Sequence, residues 1–432
     1  MSRIETMPEI FLETETSILN DLSIQVQTNQ AKAECKITLM TEDDNQKSFK
    51  SHAVFKSDQT GFIDLATQAP INGDYEGIDA NGLIWSMKSM DHKERMFVKQ
   101  TSEPIRFTIK AYDSQDRVLA EKTFSRILHS KDILREEVSE DVKGTLFYPD
   151  HQDALPGIII LGGSDASVHE SAAAILATQG YAVLALAYFG KEGLPKGIEN
   201  IPLEYVDKAF QLLESKSYVD QSKLGIIGHS RGSELALLYA SKYSKVKAVI
   251  ATAPSAVVFS GMRNLQTTSN PAWTYNGVPF EFFPVKNTFK DSLPFLRHMI
   301  LRKPYSGIEA MKKNIEDDEK LNQYAIPVQD IKAPIMIFAG TDDHIQPAEL
   351  FTKRMEKALY QHEFKEKNRY IYHEGAGHFS AYPSNLPNMP QTVADTSFMT
   401  FVFGGTKEAN AKAAQQSWQE TTDFLDFLKP GK

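Results

Sequence analysis

The chain has 432 residues, 41% hydrophobic and 24% charged, with a formal net charge of −9. That length holds two or three domains and a sizeable core, and the composition is globular rather than disordered or fibrous. The acidic balance argues against a nucleic-acid partner, the longest apolar runs are too short for a transmembrane segment, and the single Cys35 excludes an intrachain disulfide and fits a reducing compartment.

Met1 to Pro8 contains acid and no apolar core, so it reads as neither a signal nor a transit peptide. Lys429-Pro430-Gly431-Lys432 is not a peroxisomal address, and the expected location is cytoplasmic. Up to about residue 140 apolar residues alternate with polar ones, the pattern of half-buried antiparallel strands. Leu22, Ile24 and Val26 show it, as do Ile105, Phe107 and Ile109. Phe62 to Leu65 and Leu83 to Met87 are shorter strand candidates, and turn clusters at 42–45, 72–74 and 113–116 divide the series. Short strands at such spacing predict a β-sandwich over 1–140. The charged stretch Ile133 to Val142 reads as a linker.

Residues 141–432 change rhythm. Strands are expected at 157–161, 182–187, 224–227, 246–251, 335–339 and 369–372, with covering helices at 199–213 and 417–428. Strands alternating with helices predict an α/β domain with a mostly parallel, doubly wound sheet. Residues 254–330 interrupt this rhythm with Trp273, Tyr275, Phe280, Phe282 and Phe283. Taken singly, such aromatics most often pack on one another; as a segment they form the candidate substrate-binding cap.

Between the apolar run Leu224 to Ile227 and the helical stretch from Ser233 stands Gly228-His229-Ser230-Arg231-Gly232. A G-x-S-x-G between strand and helix is a nucleophile elbow. Its turn is tight enough that both flanking positions need glycine, and it exposes the serine at the sheet's C-terminal edge. An elbow needs an acid and then a histidine downstream. Thr341-Asp342-Asp343-His344 follows the strand ending at Gly340, and the offset from that glycine favours Asp343 over Asp342. The glycines of Gly375-Ala376-Gly377-His378 suit a loop carrying His378 over the sheet edge, in preference to His373 or His344. The oxyanion donors are then the N–H of Arg231, after the nucleophile, and of Gly163, in the Gly162-Gly163-Ser164-Asp165 loop. No residue cluster has metal-ligand spacing and no nucleotide-binding glycine loop occurs, so neither metal nor cofactor is expected.

These stretches resemble the type I acyl-CoA thioesterase and bile-acid-CoA:amino-acid N-acyltransferase family over nearly the whole chain. Gly144 to Pro149, Ala185 to Phe189, Leu194-Pro195-Lys196, Leu203-Glu204-Tyr205, the elbow through Glu234, both downstream loops and Phe403 to Trp418 are similar to its landmarks. The resemblance implies an immunoglobulin-like β-sandwich followed by an α/β-hydrolase domain. It also implies acyl-enzyme chemistry on coenzyme A thioesters. Serine at 230 corresponds to the family's thioesterases, and cysteine to its transferases. His229 and Arg231 stand where those thioesterases usually carry an aliphatic residue and lysine, and the 162–165 loop holds fewer glycines than theirs.

The expected function is hydrolysis of acyl-CoA to fatty acid and CoA by Ser230, Asp343 and His378. A carboxylesterase or peptidase-like hydrolase, or an amine acyltransferase, is the alternative on the same scaffold. A basic groove for CoA would draw on Arg263, Lys286, Lys290, Arg297 and Arg302 of the cap.

Overall fold

A computed structural model describes residues 7–431, apart from 92–94, 151–153, 265, 286–288, 302, 382, 390–391 and 397–398. The first part is built from two sheets. A three-stranded sheet joins Glu9–Phe11, Gln25–Gln27 and Phe62–Asp64. A larger one centres on the antiparallel strands Glu34–Glu42, Ser48–Lys56, Ile105–Tyr112 and Val118–Ile127. Ile10, Val26 and Ile63 of the first share one apolar core with Ile37, Leu39, Phe49 and Phe107 of the second.

Two elements differ in kind from the expectation. Gly82–Trp85, overlapping the expected strand at 83–87, is one helical turn, fully buried. Asp79 holds it by accepting from Asn81 N–H and from Trp85 Nε1. A short apolar run buried all round carries no period, so strand and helix look alike in sequence. Ile133–Val138 is not a linker but the edge strand of the large sheet, antiparallel to Lys143–Pro149. Its charges face outward and pair with covering helices, Arg135 with Glu170 at 2.9 Å and Glu136 with Lys216 at 2.6 Å.

The large sheet has eight strands. From one edge they run 133–138, 143–149, 182–187, 155–161, 219–229, 246–252, 335–340 and 369–373. All neighbours from 182–187 onward are parallel. Helices cover both faces. Leu203–Ser215 buries Leu203, Val206, Phe210 and Leu213 at helical spacing on one side, with Ile159, Ile226 and Ile337. On the other side Ala173, Leu176, Ala177 and Phe424 meet Ile158, Ile227 and Phe338. The C-terminal helix, Lys407–Leu425, starts earlier than the expected 417, where Thr406 accepts from Ala409 N–H. No helix among the described residues is long and apolar enough to cross a membrane.

From the central strand 155–161 the chain moves to one side, at 182–187, and then crosses to the other, at 219–229. Neighbouring strands therefore send their C-terminal connections to opposite faces, which opens a crevice between them. Gly162-Gly163 and Ser230 lie at that crevice. The 254–330 insertion lies between strands 246–252 and 335–340, and its strand Trp273–Tyr275 pairs with Ile201-Pro202 at the head of a covering helix.

Candidate active site

Strand 219–229 ends at His229 and a helix begins at Arg231. Ser230 makes the turn between them with φ 52° and ψ −117°, a conformation that costs an L-residue about 1–3 kcal/mol. The surroundings hold it there. Ser230 N–H donates to Thr252 C=O at 2.9 Å, and Ser230 C=O accepts from Ser233 Oγ at 2.6 Å. These bonds use only the backbone of Ser230, so its Oγ is left out of the set. A Cβ at Gly228 would collide with the Gly232 carbonyl, and one at Gly232 with the Gly162 carbonyl. Close approach of backbone to backbone is what demands both glycines.

Asp343 and His378 meet in a buried contact. Asp343 Oδ2 lies 2.8 Å from His378 Nδ1, with the two side chains 1% and 4% exposed. The other Asp343 oxygen accepts from Ile345 N–H at 2.8 Å and Gln346 N–H at 3.1 Å. A carboxylate so bound cannot rotate, and it keeps His378 Nδ1 as the protonated nitrogen. His378 N–H donates to Phe403 C=O at 2.9 Å, and Gly377 N–H to Asn410 Oδ1 at 2.7 Å, so the C-terminal helix anchors the histidine loop.

The competing residues go elsewhere. Asp342 is 51% exposed, 3.0 Å from His344 Nε2, and accepts from Gly405 N–H. His344 is also 3.1 Å from Ser306 Oγ. His373 is a core residue stacked flat on Phe338 at 5.5 Å, and burial pushes its pKa down to about 4.

Gly163 passes beside Ser230; a Cβ built on it would lie 3.4 Å from Ser230 Cβ. Tyr188 OH donates to Gly162 C=O at 2.7 Å. In a trans peptide the next N–H points opposite to that carbonyl, so Gly163 N–H is turned away from Tyr188. Arg231 N–H belongs to the first helical turn, whose donors have no intrahelical acceptor.

The side chain of Arg231 is buried, which resolves a role the sequence left open. Its guanidinium pairs with Glu234 at 2.7 Å, the two side chains being 6% and 1% exposed. Arg231 Nη2 donates to Ser260 C=O at 3.0 Å, and the guanidinium lies 5.4 Å from the Trp273 ring. Glu234 accepts from Trp273 Nε1 at 2.7 Å and from Phe259 N–H at 3.0 Å. Burial raises the Glu234 pKa, against the opposing pull of Arg231. This network ties the elbow helix to the insertion, and sequence reasoning missed it. The one signal was an ion-pair spacing of three residues in the elbow helix.

Of the five cations expected to line a CoA groove, Arg263 is engaged by Glu199, with Nε 2.8 Å from Oε2. Arg297 is exposed on the helix Phe289–Leu301. Lys286, Arg302 and the side chain of Lys290 lie outside the described residues.

Two family profiles match the chain. The one described as "Acyl-CoA thioester hydrolase/BAAT N-terminal region" covers residues 20–140, and "BAAT / Acyl-CoA thioester hydrolase C terminal" covers 201–428. The chain is 28% identical to the peroxisomal succinyl-coenzyme A thioesterase of Mus musculus, over 94% of this chain and 92% of that one. It is 28% identical to acyl-coenzyme A thioesterase 3 of Mus musculus, over 98% and 95%. It is also 28% identical to acyl-coenzyme A amino acid N-acyltransferase 1 of Mus musculus, over 90% of each. With both profiles matched in order along one chain, the protein belongs to the acyl-CoA thioester hydrolase/BAAT family.

Proposed function

We propose that this protein is an acyl-CoA thioesterase working through Ser230, His378 and Asp343. Ser230 Oγ attacks the thioester carbonyl as His378 Nε2 takes its proton. Asp343 holds the Nδ1–H and stabilises the imidazolium. The N–H groups of Arg231 and Gly163 receive the oxyanion. The C–S bond breaks, and CoA leaves with the proton from His378. Water then attacks the acyl-serine ester, gives a proton to His378, and the acid departs as the proton returns to Ser230 Oγ. These steps use protein groups and water alone.

The observation that carries this reading is the buried 2.8 Å pair of Asp343 and His378, beside an elbow that holds Ser230 at a positive φ. The thioester as substrate is supported by the two relatives named as thioesterases. The relative named as an N-acyltransferase supports a second reading, transfer to an amine. A panel of acyl-CoAs and p-nitrophenyl esters, with and without glycine or taurine, separates the cases. Release of free acid with CoA supports the thioesterase. Dominant amide product supports the transferase, and turnover confined to oxygen esters a carboxylesterase.

We also read the first part as an immunoglobulin-like β-sandwich and the rest as the catalytic domain, with 254–330 as its cap. The boundary moves from about 140 to the 129–132 stretch, because strand 133–138 pairs with 143–149. The shared core of the two N-terminal sheets supports this division. The proposed compartment remains the cytoplasm, on the single, unpaired Cys35. Two relatives are named peroxisomal and mitochondrial, so fractionation of cells is the test.

A further inference from the structure

The catalytic scheme gives the His229 ring no role. His229 Nδ1 lies 2.9 Å from Thr252 Oγ1, and that hydroxyl lies 3.2 Å from Gly228 C=O. With the single threonine proton on Gly228 C=O, His229 Nδ1 carries its own proton toward Thr252. This assigns Nε2 as a bare acceptor. Nε2 is buried and, among the described residues, has no hydrogen-bond partner.

The unpaired edge is well placed. Cδ2, the ring carbon next to Nε2, lies 3.5 Å from where a Gly163 Cβ would stand. The ring centroid is 5.1 Å from that of His378, and Phe379 stacks against the ring at 5.7 Å. The His229 ring therefore lies against both the His378 imidazole and the Gly163 loop. Thr252 and Phe379 keep the ring from turning away. Burial, with His378 and His169 nearby, holds the His229 pKa well below the ordinary histidine value, so the ring is neutral and Nε2 is closed in without a partner among the described residues.

We propose that His229 Nε2 holds the water that releases the acid from acyl-Ser230, and so sets the rate of deacylation. This rests on the Ser230, His378 and Asp343 reading. One O–H of the water donates to His229 Nε2 and the other to His378 Nε2, which fixes the oxygen lone pair toward the ester carbonyl. The oxygen bonds to that carbon, and its proton passes to His378. The C–Oγ bond then breaks and His378 returns the proton to Ser230. His229 accepts a hydrogen bond throughout and takes no proton. Attack of Ser230 on the thioester needs no such water, so the first half-reaction is spared.

The test is rapid mixing of full-length enzyme with saturating acyl-CoA, following free thiol and the intact protein mass after acid quench. His229→Phe keeps the ring volume and removes the acceptor. It is expected to release the first CoA within about threefold of the wild-type rate and then turn over roughly 10- to 100-fold more slowly, with one acyl group accumulating on Ser230. His229→Gln, which keeps an acceptor, is expected to recover part of the turnover. Hydroxylamine, which attacks the ester without a positioned water, is expected to restore CoA release in His229→Phe. If that variant does not fold, His229→Leu is expected to give the same burst. An equal fall of both phases, or an unchanged steady state, overturns the proposal. A wild type that yields neither thiol nor an acyl adduct overturns the Ser230 assignment itself.

Discussion

Asp343 Oδ2 lies 2.8 Å from His378 Nδ1, while the adjacent Asp342 points away to His344 and Gly405 N–H. Two consecutive aspartates thus separate cleanly, one buried against an imidazole and one half in solvent. Asp343→Asn is expected to lower kcat by about 10⁴, because the histidine loses its orienting partner. Asp342→Asn is expected to stay within about threefold of wild type. Steady-state kinetics on both variants checks the pair, and the reverse order would move the acid to Asp342.

The Arg231–Glu234 pair is a matter of stability. Removing one partner of a buried pair leaves an uncompensated charge, which costs about 3–5 kcal/mol. Arg231→Met is expected to lose that much in urea unfolding. Arg231→Met with Glu234→Leu is expected to recover most of it, since no charge is then left buried. A double variant as unstable as the single one would contradict this account.

Glycine at 163 and glycine at 232 are expected to fail differently. A methyl at Gly232 collides with backbone, so Gly232→Ala is expected not to fold. A methyl at Gly163 meets Ser230 Cβ at 3.4 Å, which is ordinary contact. Gly163→Ala is therefore expected to fold and to lose kcat, by roughly tenfold or more, as the methyl crowds the oxyanion position. Tyr188→Phe, which frees the Gly162 carbonyl, is expected to lower kcat without a change in KM. Circular dichroism with kinetics separates these cases.

Stability is expected to fall in acid through His373. Above pH 6.5 its imidazole is neutral whether the chain is folded or not. Below that the unfolded chain takes up a proton, and the folded one resists until about pH 4. The native state thus loses up to about 3 kcal/mol as pH falls through this window. His373→Gln is expected to flatten that loss in urea unfolding between pH 7 and pH 4.5. An unchanged slope would show that His373 is protonated in the folded state.

The parts of the site that were legible in sequence are those set by local geometry. Gly228 and Gly232 bracket Ser230 because backbone meets backbone there, and such a demand leaves glycine in the chain. Asp343 stands out in sequence by its place after a strand that is apolar throughout, the mark of a buried parallel sheet, and His378 by the glycines of the loop after the last strand. What escaped depends on contacts distant in the chain. Trp273 reaches Glu234 across 39 residues, and no period in either segment announces it. The strand at 133–138 buries only Ile133 and Val138, so its charges read as a linker until the helices that pair with them are in place. The turn at Gly82–Trp85 was misread because every one of its residues is buried.

The central claim is that Ser230 carries the acyl group from a CoA thioester to water. Its most direct test is thiol release from a panel of acyl-CoAs by the wild type and by Ser230→Ala. The wild type is expected to release CoA and free acid in equal amounts, and the variant to lose activity by on the order of a millionfold while keeping its fold. A Ser230→Ala enzyme with more than about a tenth of wild-type turnover, or a wild type inert toward every thioester in the panel, would contradict the account.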